Sequence, residues 1–170
     1  GMRYSLPSRD LIADSFESIA MAHYYDGLIC VPGCDKNLPG VLMAMCRINR
    51  PSFIIYGGSM PPSTVSYGDK KINSDIVTAF ESYGSYLKKD INEEQYNNII
   101  QNCCNKACGS CSGLYTANTM AMIFEVMGMT IPNSSSNPSM GINKQHECYN
   151  SSKIIYNLIK NDIKPSDILT

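Results

Sequence analysis

Gly27-Leu28-Ile29-Cys30-Val31-Pro32-Gly33-Cys34-Asp35-Lys36-Asn37-Leu38-Pro39-Gly40 contains the pattern that decides the fold. Its first five residues are an apolar run bounded by Gly and Pro, which reads as a short buried strand. Residues 32–40 form a loop, and Pro39 suits the first turn of a following helix. That helix carries Val41, Leu42, Met45 and Ile48, and Asn49 with Pro51 ends it. Ser52-Phe53-Ile54-Ile55-Tyr56 is a second buried strand, closed by Gly57-Gly58. Strand–loop–helix units joined by helices imply an α/β fold, a parallel sheet flanked by helices.

Outward from this centre, Ser8 is placed to cap a helix over about 8–23, with Leu11, Ile12, Phe16, Ile19 and Ala20 on one face. Pro61, Pro62 and Gly68 mark a loop after the second strand. Helices are predicted over 74–86 and 92–103, with a polar, exposed region at 90–98. Residues 104–113 form a second loop, rich in Gly and Cys, that leads into a helix over 116–127 stopped by Gly128. A Ser/Asn-rich loop over 133–139 precedes a last long helix over 144–160. No internal repeat is visible.

The 170 residues are 44% hydrophobic and 17% charged, a globular rather than disordered balance. A net charge of −1 without a basic block argues against nucleic acid or an anionic membrane as main partner. Apolar runs such as residues 27–31 are far too short to cross a bilayer. Residues 1–9 lack the apolar core of a signal peptide and do not read as a transit peptide. Eight cysteines are too few for a disulfide scaffold of this length, and fit an intracellular protein with metal-binding thiols.

Two constellations could carry chemistry. Cys34-Asp35-Lys36 lies at the carboxyl end of a predicted strand, where open α/β sheets bind ligands. It offers a soft ligand, a hard ligand and a tunable base. The plainer alternative is a polar turn in which Asp35 caps the helix and Lys36 is solvated. Cys108-Gly109-Ser110-Cys111-Ser112-Gly113 enters a helix through small residues that let the backbone approach a bulky group. Its C-x-x-C alone is compatible with zinc, iron–sulfur or dithiol chemistry. Zinc wants four ligands, whereas the nearby Cys103 and Cys104 have unusual spacing and neither His is adjacent. Cys30 and Cys46 read as core thiols and Cys148 as incidental. His23 and His146 have no visible catalytic partner, and the ten Met residues read as core filling.

Cys34-Asp35-Lys36-Asn37-Leu38-Pro39-Gly40 resembles the first signature of the dihydroxy-acid dehydratase family, and residues 1–15 resemble the helix preceding it. Residues 109–120, Gly-Ser-Cys-Ser-Gly-Leu-Tyr-Thr-Ala-Asn-Thr-Met, resemble the family's second cysteine motif, and residues 163–170 resemble a further family segment. Arg50-Pro51-Ser52, Tyr56-Gly57-Gly58 and residues 115–120 look more like the branched-chain enzyme than the sugar-acid and phosphogluconate dehydratases of the same family.

The resemblance implies that residues 1–170 are an internal part of an N-terminal α/β cluster-binding domain, too short for the whole enzyme, with a C-terminal domain absent. It implies dehydration of 2,3-dihydroxy-3-methyl acids to 2-keto acids in valine and isoleucine biosynthesis. Cys34 and Cys111 would be thiolates of an iron–sulfur cluster, 2Fe-2S rather than 4Fe-4S. Asp35 would ligate Mg²⁺ together with Lys36, the latter as a carbamate. Thiolates suit iron, and Mg²⁺ takes hard oxygens; a lysine ammonium repels the ion, whereas its carbamate is an anionic oxygen donor. No catalytic base is assignable here, since the family's serine base is expected beyond Thr170. The family's further cluster Cys and Mg²⁺-binding Asp precede this chain, and its Mg²⁺-binding Glu follows it. Asn105 and Lys106 replace the more typical Cys-Pro. Implied partners are a small dihydroxy acid and a second copy in a homodimer, with no nucleic acid and no membrane. Implied locations are the cytoplasm in a prokaryote and the mitochondrion or plastid in a eukaryote. A sugar-acid or phosphogluconate dehydratase and a non-catalytic Cys-based metal or redox module are the competing readings.

Overall fold

A computed structural model describes residues 2–67, 70–104 and 108–170. Gly68, expected in a loop, and the Asn105-Lys106 departure lie outside the described residues. The elements are α1 (Ser8–Ala22), β1 (Leu28–Cys30), α2 (Asn37–Ile48), β2 (Ser52–Ile54), β3 (Ser63–Tyr67), β4 (Lys70–Ser74), α3 (Ile76–Leu87), α4 (Glu93–Asn102), α5 (Thr116–Val126), α6 (Ile142–Lys160) and α7 (Pro165–Ile168). The fold is mixed α/β, helix-rich around a small parallel sheet.

β1 and β2 run parallel, with Leu28 opposite Ser52 and Cys30 opposite Ile54. Thr130 flanks the other edge of β2 in a parallel bridge to Ile54, and the Ile54 N–H donates to Met129 O at 2.9 Å. β2 therefore lies between two neighbours, and all three of its residues are buried. β1 has less cover than its apolar sequence implied: Ile29 is 40% and Val31 63% exposed. Asn49, in the left-handed region at φ 46°, ends α2 as expected.

The main core joins Leu38, Val41 and Met45 of α2 to Ile54 and Tyr56, and to Ala117, Ala121 and Phe124 of α5. Each such large side chain stabilises the fold by about 1.5–3 kcal/mol through removal of apolar surface from water.

Three expectations need correction. Ser8 is the first residue of α1 rather than its cap; Pro7 holds that position, and the Ser8 hydroxyl donates to Ser5 O at 2.6 Å. The expected face of α1 holds only in part: Ala20 is buried and Ile12 packs on the main core, joined by Ala13. A Cβ on Gly40 would lie 2.9 Å from both Arg9 O and the Ile12 side chain, so the missing side chain on α2 is what lets Ile12 of α1 seat at the crossing. Leu11 and Ile19 of the expected face point outward. Finally, the loop expected after β2 contains an antiparallel hairpin, β3 with β4, in which Val65 opposes Ile72. Val65 packs with Ile91 and Ile99 into a second, smaller core.

Candidate functional site

Parallel pairing brings the carboxyl ends of β1 and β2 side by side, and both exit loops stay together: the Gly57 N–H donates to Pro32 O at 2.9 Å. This is the sheet edge at which α/β folds place ligands. In the first loop, the Asn37 side-chain oxygen accepts N–H bonds from Cys34 at 2.8 Å and Gly33 at 3.2 Å, folding the turn onto the start of α2. Asp35 does not cap that helix. Its carboxylate instead accepts from Lys36 Nζ at 2.8 Å and from Cys34 Sγ at 3.4 Å. The Lys36 bond holds the Asp35 carboxyl below the ordinary range, against the partial burial that opposes it, and the Cys34 bond adds to the lowering. Lys36 is paired rather than freely solvated.

The second cysteine loop locks onto the first. The Ser110 hydroxyl donates to Gly33 O. Ser110 N–H donates to Gly58 O, and Met60 N–H to Ser110 O, each at 2.8 Å. Gly58 has φ +88°, and a Cβ there would lie 2.5 Å from Ser139 N; Gly109 has φ +154°, and a Cβ would lie 2.5 Å from Met60 N. Glycine is the residue that tolerates both the dihedral and the approach. Ser139 closes the set: its N–H donates to Ser59 O at 3.0 Å and its hydroxyl to Cys108 O. Four loops thus interlock, with Cys34 and Cys111 each next in sequence to the contacting pair Gly33 and Ser110.

Beneath them lies Tyr56, fully buried. Its hydroxyl donates to Asn118 Oδ1 at 2.6 Å, and Asn118 Nδ2 donates to Cys111 O at 2.8 Å and to Gly113 O. Burial pushes the Tyr56 hydroxyl above its ordinary range; a Ser110 hydrogen bond opposes this, while Cys111 and Cys34 push the same way.

Cys34 and Cys108 are exposed and Cys111 is half-buried. Cys30 is a core thiol as expected, and burial raises it to about 11. Cys46, expected in the core, is exposed because it falls just off the Val41, Ala44 and Met45 stripe of α2. Cys148 is exposed on α6, and His23 stacks on Tyr25 with centroids 5.4 Å apart. Cys103 and Cys104 face each other, Sγ to Sγ 3.7 Å. Among the described residues, no three His, Cys, Asp or Glu side chains gather as a metal site. Two thiols, one carboxylate and one lysine are thus a partial donor set.

Sequence reasoning missed Tyr56, Asn118, Ser110 and Ser139, and also a buried ion pair on α6. Lys144 Nζ lies 2.8 Å from Glu147 Oε2, with both side chains less than a tenth exposed. Opposite charges three residues apart on a polar helix ordinarily mark a solvated face, so nothing in the sequence pointed inward.

The family model described as dihydroxy-acid/6-phosphogluconate dehydratase N-terminal matches residues 1–170. This chain belongs to that family. A mitochondrial dihydroxy-acid dehydratase, ilvC, of Aspergillus fumigatus is 54% identical over 170 residues, covering 100% of this chain and 28% of the relative. The mitochondrial dihydroxy-acid dehydratase of Saccharomyces cerevisiae is 52% identical over 172 residues, covering 100% of this chain and 29% of its own. The dihydroxy-acid dehydratase of Francisella tularensis subsp. novicida is 52% identical over 170 residues, covering 100% of this chain and 30% of its own. The chain thus spans less than a third of the length of these curated relatives.

Proposed function

We propose that the protein to which this chain belongs is a hydro-lyase that removes water from 2,3-dihydroxy-3-methyl carboxylic acids to give 2-keto acids, serving valine and isoleucine synthesis. The observation that carries this reading is the locking of the Cys34 loop onto the Cys111 loop at the carboxyl edge of β1 and β2. The names of the relatives support the choice of a dihydroxy acid over a sugar acid.

The donor set fits an iron–sulfur cluster and Mg²⁺ in part: Cys34 and Cys111 offer soft thiolates, and Asp35 a hard oxygen beside Lys36. Bound there, an iron–sulfur cluster, 2Fe-2S in this reading, and Mg²⁺ would supply Lewis acidity toward the departing hydroxyl and the carboxylate end of the substrate. Asp35 stays ionised through neutral pH. Lys36 Nζ already reaches the Asp35 carboxylate. Its ammonium first loses one proton; addition of the neutral amine to CO₂ then forms an N–C bond, releases a second proton and leaves a carbamate. Tyr56 and Asn118 hold the main chain at Cys111 and Gly113, fixing where that thiol points. The base that removes the C2 proton is assigned to the remainder of the protein, as are further ligands. A homodimer is the proposed assembly, in mitochondria or plastids of a eukaryote or the cytoplasm of a prokaryote.

The test is substitution in the full-length protein. Cys34→Ser and Cys111→Ser are each expected to lose iron and sulfide and to abolish turnover, since a serine oxygen is a harder, less acidic ligand. Cys30→Ser and Cys148→Ser are the controls and keep the cluster. Lys36→Arg is expected to lose activity and Mg²⁺ affinity while iron persists, because arginine stays protonated and cannot capture CO₂. Normal cluster content in Cys34→Ser or Cys111→Ser would overturn the thiolate assignment; zinc without sulfide would favour a plain metal-binding module. Retained activity in Lys36→Arg would remove the carbamate.

A further inference from the structure

Seven side chains link α6 to the Cys111 loop by two separate routes. Lys144 and Glu147 are buried, as is Ser134. Lys144 Nζ donates to Glu147 Oε2 at 2.8 Å and to Ser134 O at 3.0 Å, and the Ser134 hydroxyl donates to Glu147 Oε2 at 2.8 Å. A buried charge pair held by further hydrogen bonds has one low-energy arrangement, because any displacement leaves a charge unpaired in a poorly polarisable surrounding.

The first route leaves from the other carboxylate oxygen. Asn137 Nδ2 donates to Glu147 Oε1. Asn137 O and the Ser139 main chain press on Gly58, and the Ser139 hydroxyl holds Cys108 O. This fixes the entry of the 108–113 loop. The second route passes through Tyr56. The Tyr56 N–H donates to Ser134 Oγ at 3.4 Å, and Lys144 Nζ lies 5.8 Å from the centroid of the Tyr56 ring, a cation–π distance. The Tyr56 hydroxyl continues through Asn118 to Cys111 O and Gly113 O. This fixes the exit of the same loop.

We infer that Lys144 and Glu147 are positioning residues for Cys111: one buried ion pair on α6 sets both ends of the loop that presents this thiol. The inference deepens the proposed role of Cys111. Its readout is a thiol rate on cluster-free protein, so it is decided separately from whether Cys111 holds iron.

The experiment uses the full-length protein and follows alkylation of each cysteine by iodoacetamide, resolved by peptide mass spectrometry. Lys144→Met/Glu147→Gln removes both charges together, and Ser139→Ala cuts only the surface end of the first route. In the double variant, alkylation of half-buried Cys111 is expected to rise about tenfold relative to exposed Cys46. Buried Cys30 and Cys103 are expected to stay protected. Ser139→Ala is expected to raise Cys111 less than the double variant does, since the Tyr56–Asn118 route is intact. A parallel rise at Cys30 and Cys103 would mean that the pair only stabilises the fold. An unchanged Cys111 rate in a folded double variant would overturn the inference. Should the double variant fail to fold, an unchanged Cys111 rate in Asn137→Ala, which cuts the first route at Glu147, would overturn it instead.

Discussion

Asp35 sits between a thiol donor on one oxygen and an ammonium donor on the other, and those two bonds decide its protonation. Its folded-state value lies below the ordinary carboxylate range, with the Lys36 hydrogen bond as leading cause. A carboxyl lowered on folding stabilises the fold above its unfolded value, about 3.9, and that contribution is lost as pH falls through the lowered value. Lys36→Met should therefore move the Asp35 midpoint upward, toward the ordinary value, in a carboxyl ¹³C NMR titration. An unmoved midpoint would mean that Lys36 is not what holds it down. At this scale the sequence was informative where chemistry-bearing residues are contiguous, as in Cys34-Asp35-Lys36. It was silent on Tyr56 and Asn118, which meet across 62 positions of chain, and no local spacing encodes such a pairing.

The strand–loop–helix pattern was legible because its signals agree: apolar runs for β1 and β2, Pro39 in the first turn of α2, and Asn49 and Gly128 at helix ends. The hairpin was not read, although Ser63-Thr64-Val65-Ser66-Tyr67 alternates; Pro61-Pro62 weighed toward a loop. The face of α1 was read too wide: Ile12 and Ala20 turn to the core, whereas Leu11 and Ile19, counted into the same apolar stripe, are exposed. Two glycines make packing between elements testable. Gly84 lies inside α3 with nothing within 4 Å of an added Cβ, so Gly84→Ala should stabilise the protein by about 0.5–1 kcal/mol. Gly58→Ala combines a positive φ with a backbone clash at Ser139 and should cost roughly 2–4 kcal/mol. Denaturant unfolding of both variants checks the pair, and a Gly58→Ala protein as stable as wild type would remove the case for a tight four-loop junction.

At the scale of the molecule, two features bear on how residues 1–170 would behave by themselves. In the proposed reading Cys34 and Cys111 supply two thiolates, no group of three metal-ligating side chains gathers among the described residues, and iron–sulfur clusters are ordinarily held by more thiolates than two. Large apolar side chains also face outward: Leu11 and Ile19 on α1, Val126 on α5, and Tyr149 and Tyr156 on α6. Phe16, Ile19, Tyr25 and Leu28 line an apolar hollow of about 240 Å³ between α1 and β1. Exposed apolar surface of this extent ordinarily belongs to an interface or leads to association. Residues 1–170 expressed alone should therefore be poorly soluble and show no dehydratase activity. The trial is to reconstitute that polypeptide anaerobically with iron, sulfide and Mg²⁺ and to assay 2-keto acid formation from 2,3-dihydroxy-isovalerate. Turnover no greater than a metal-only blank is the expected result. Turnover clearly above it would place a proton-abstracting base within these residues, with Lys36 and Ser112 the first to substitute.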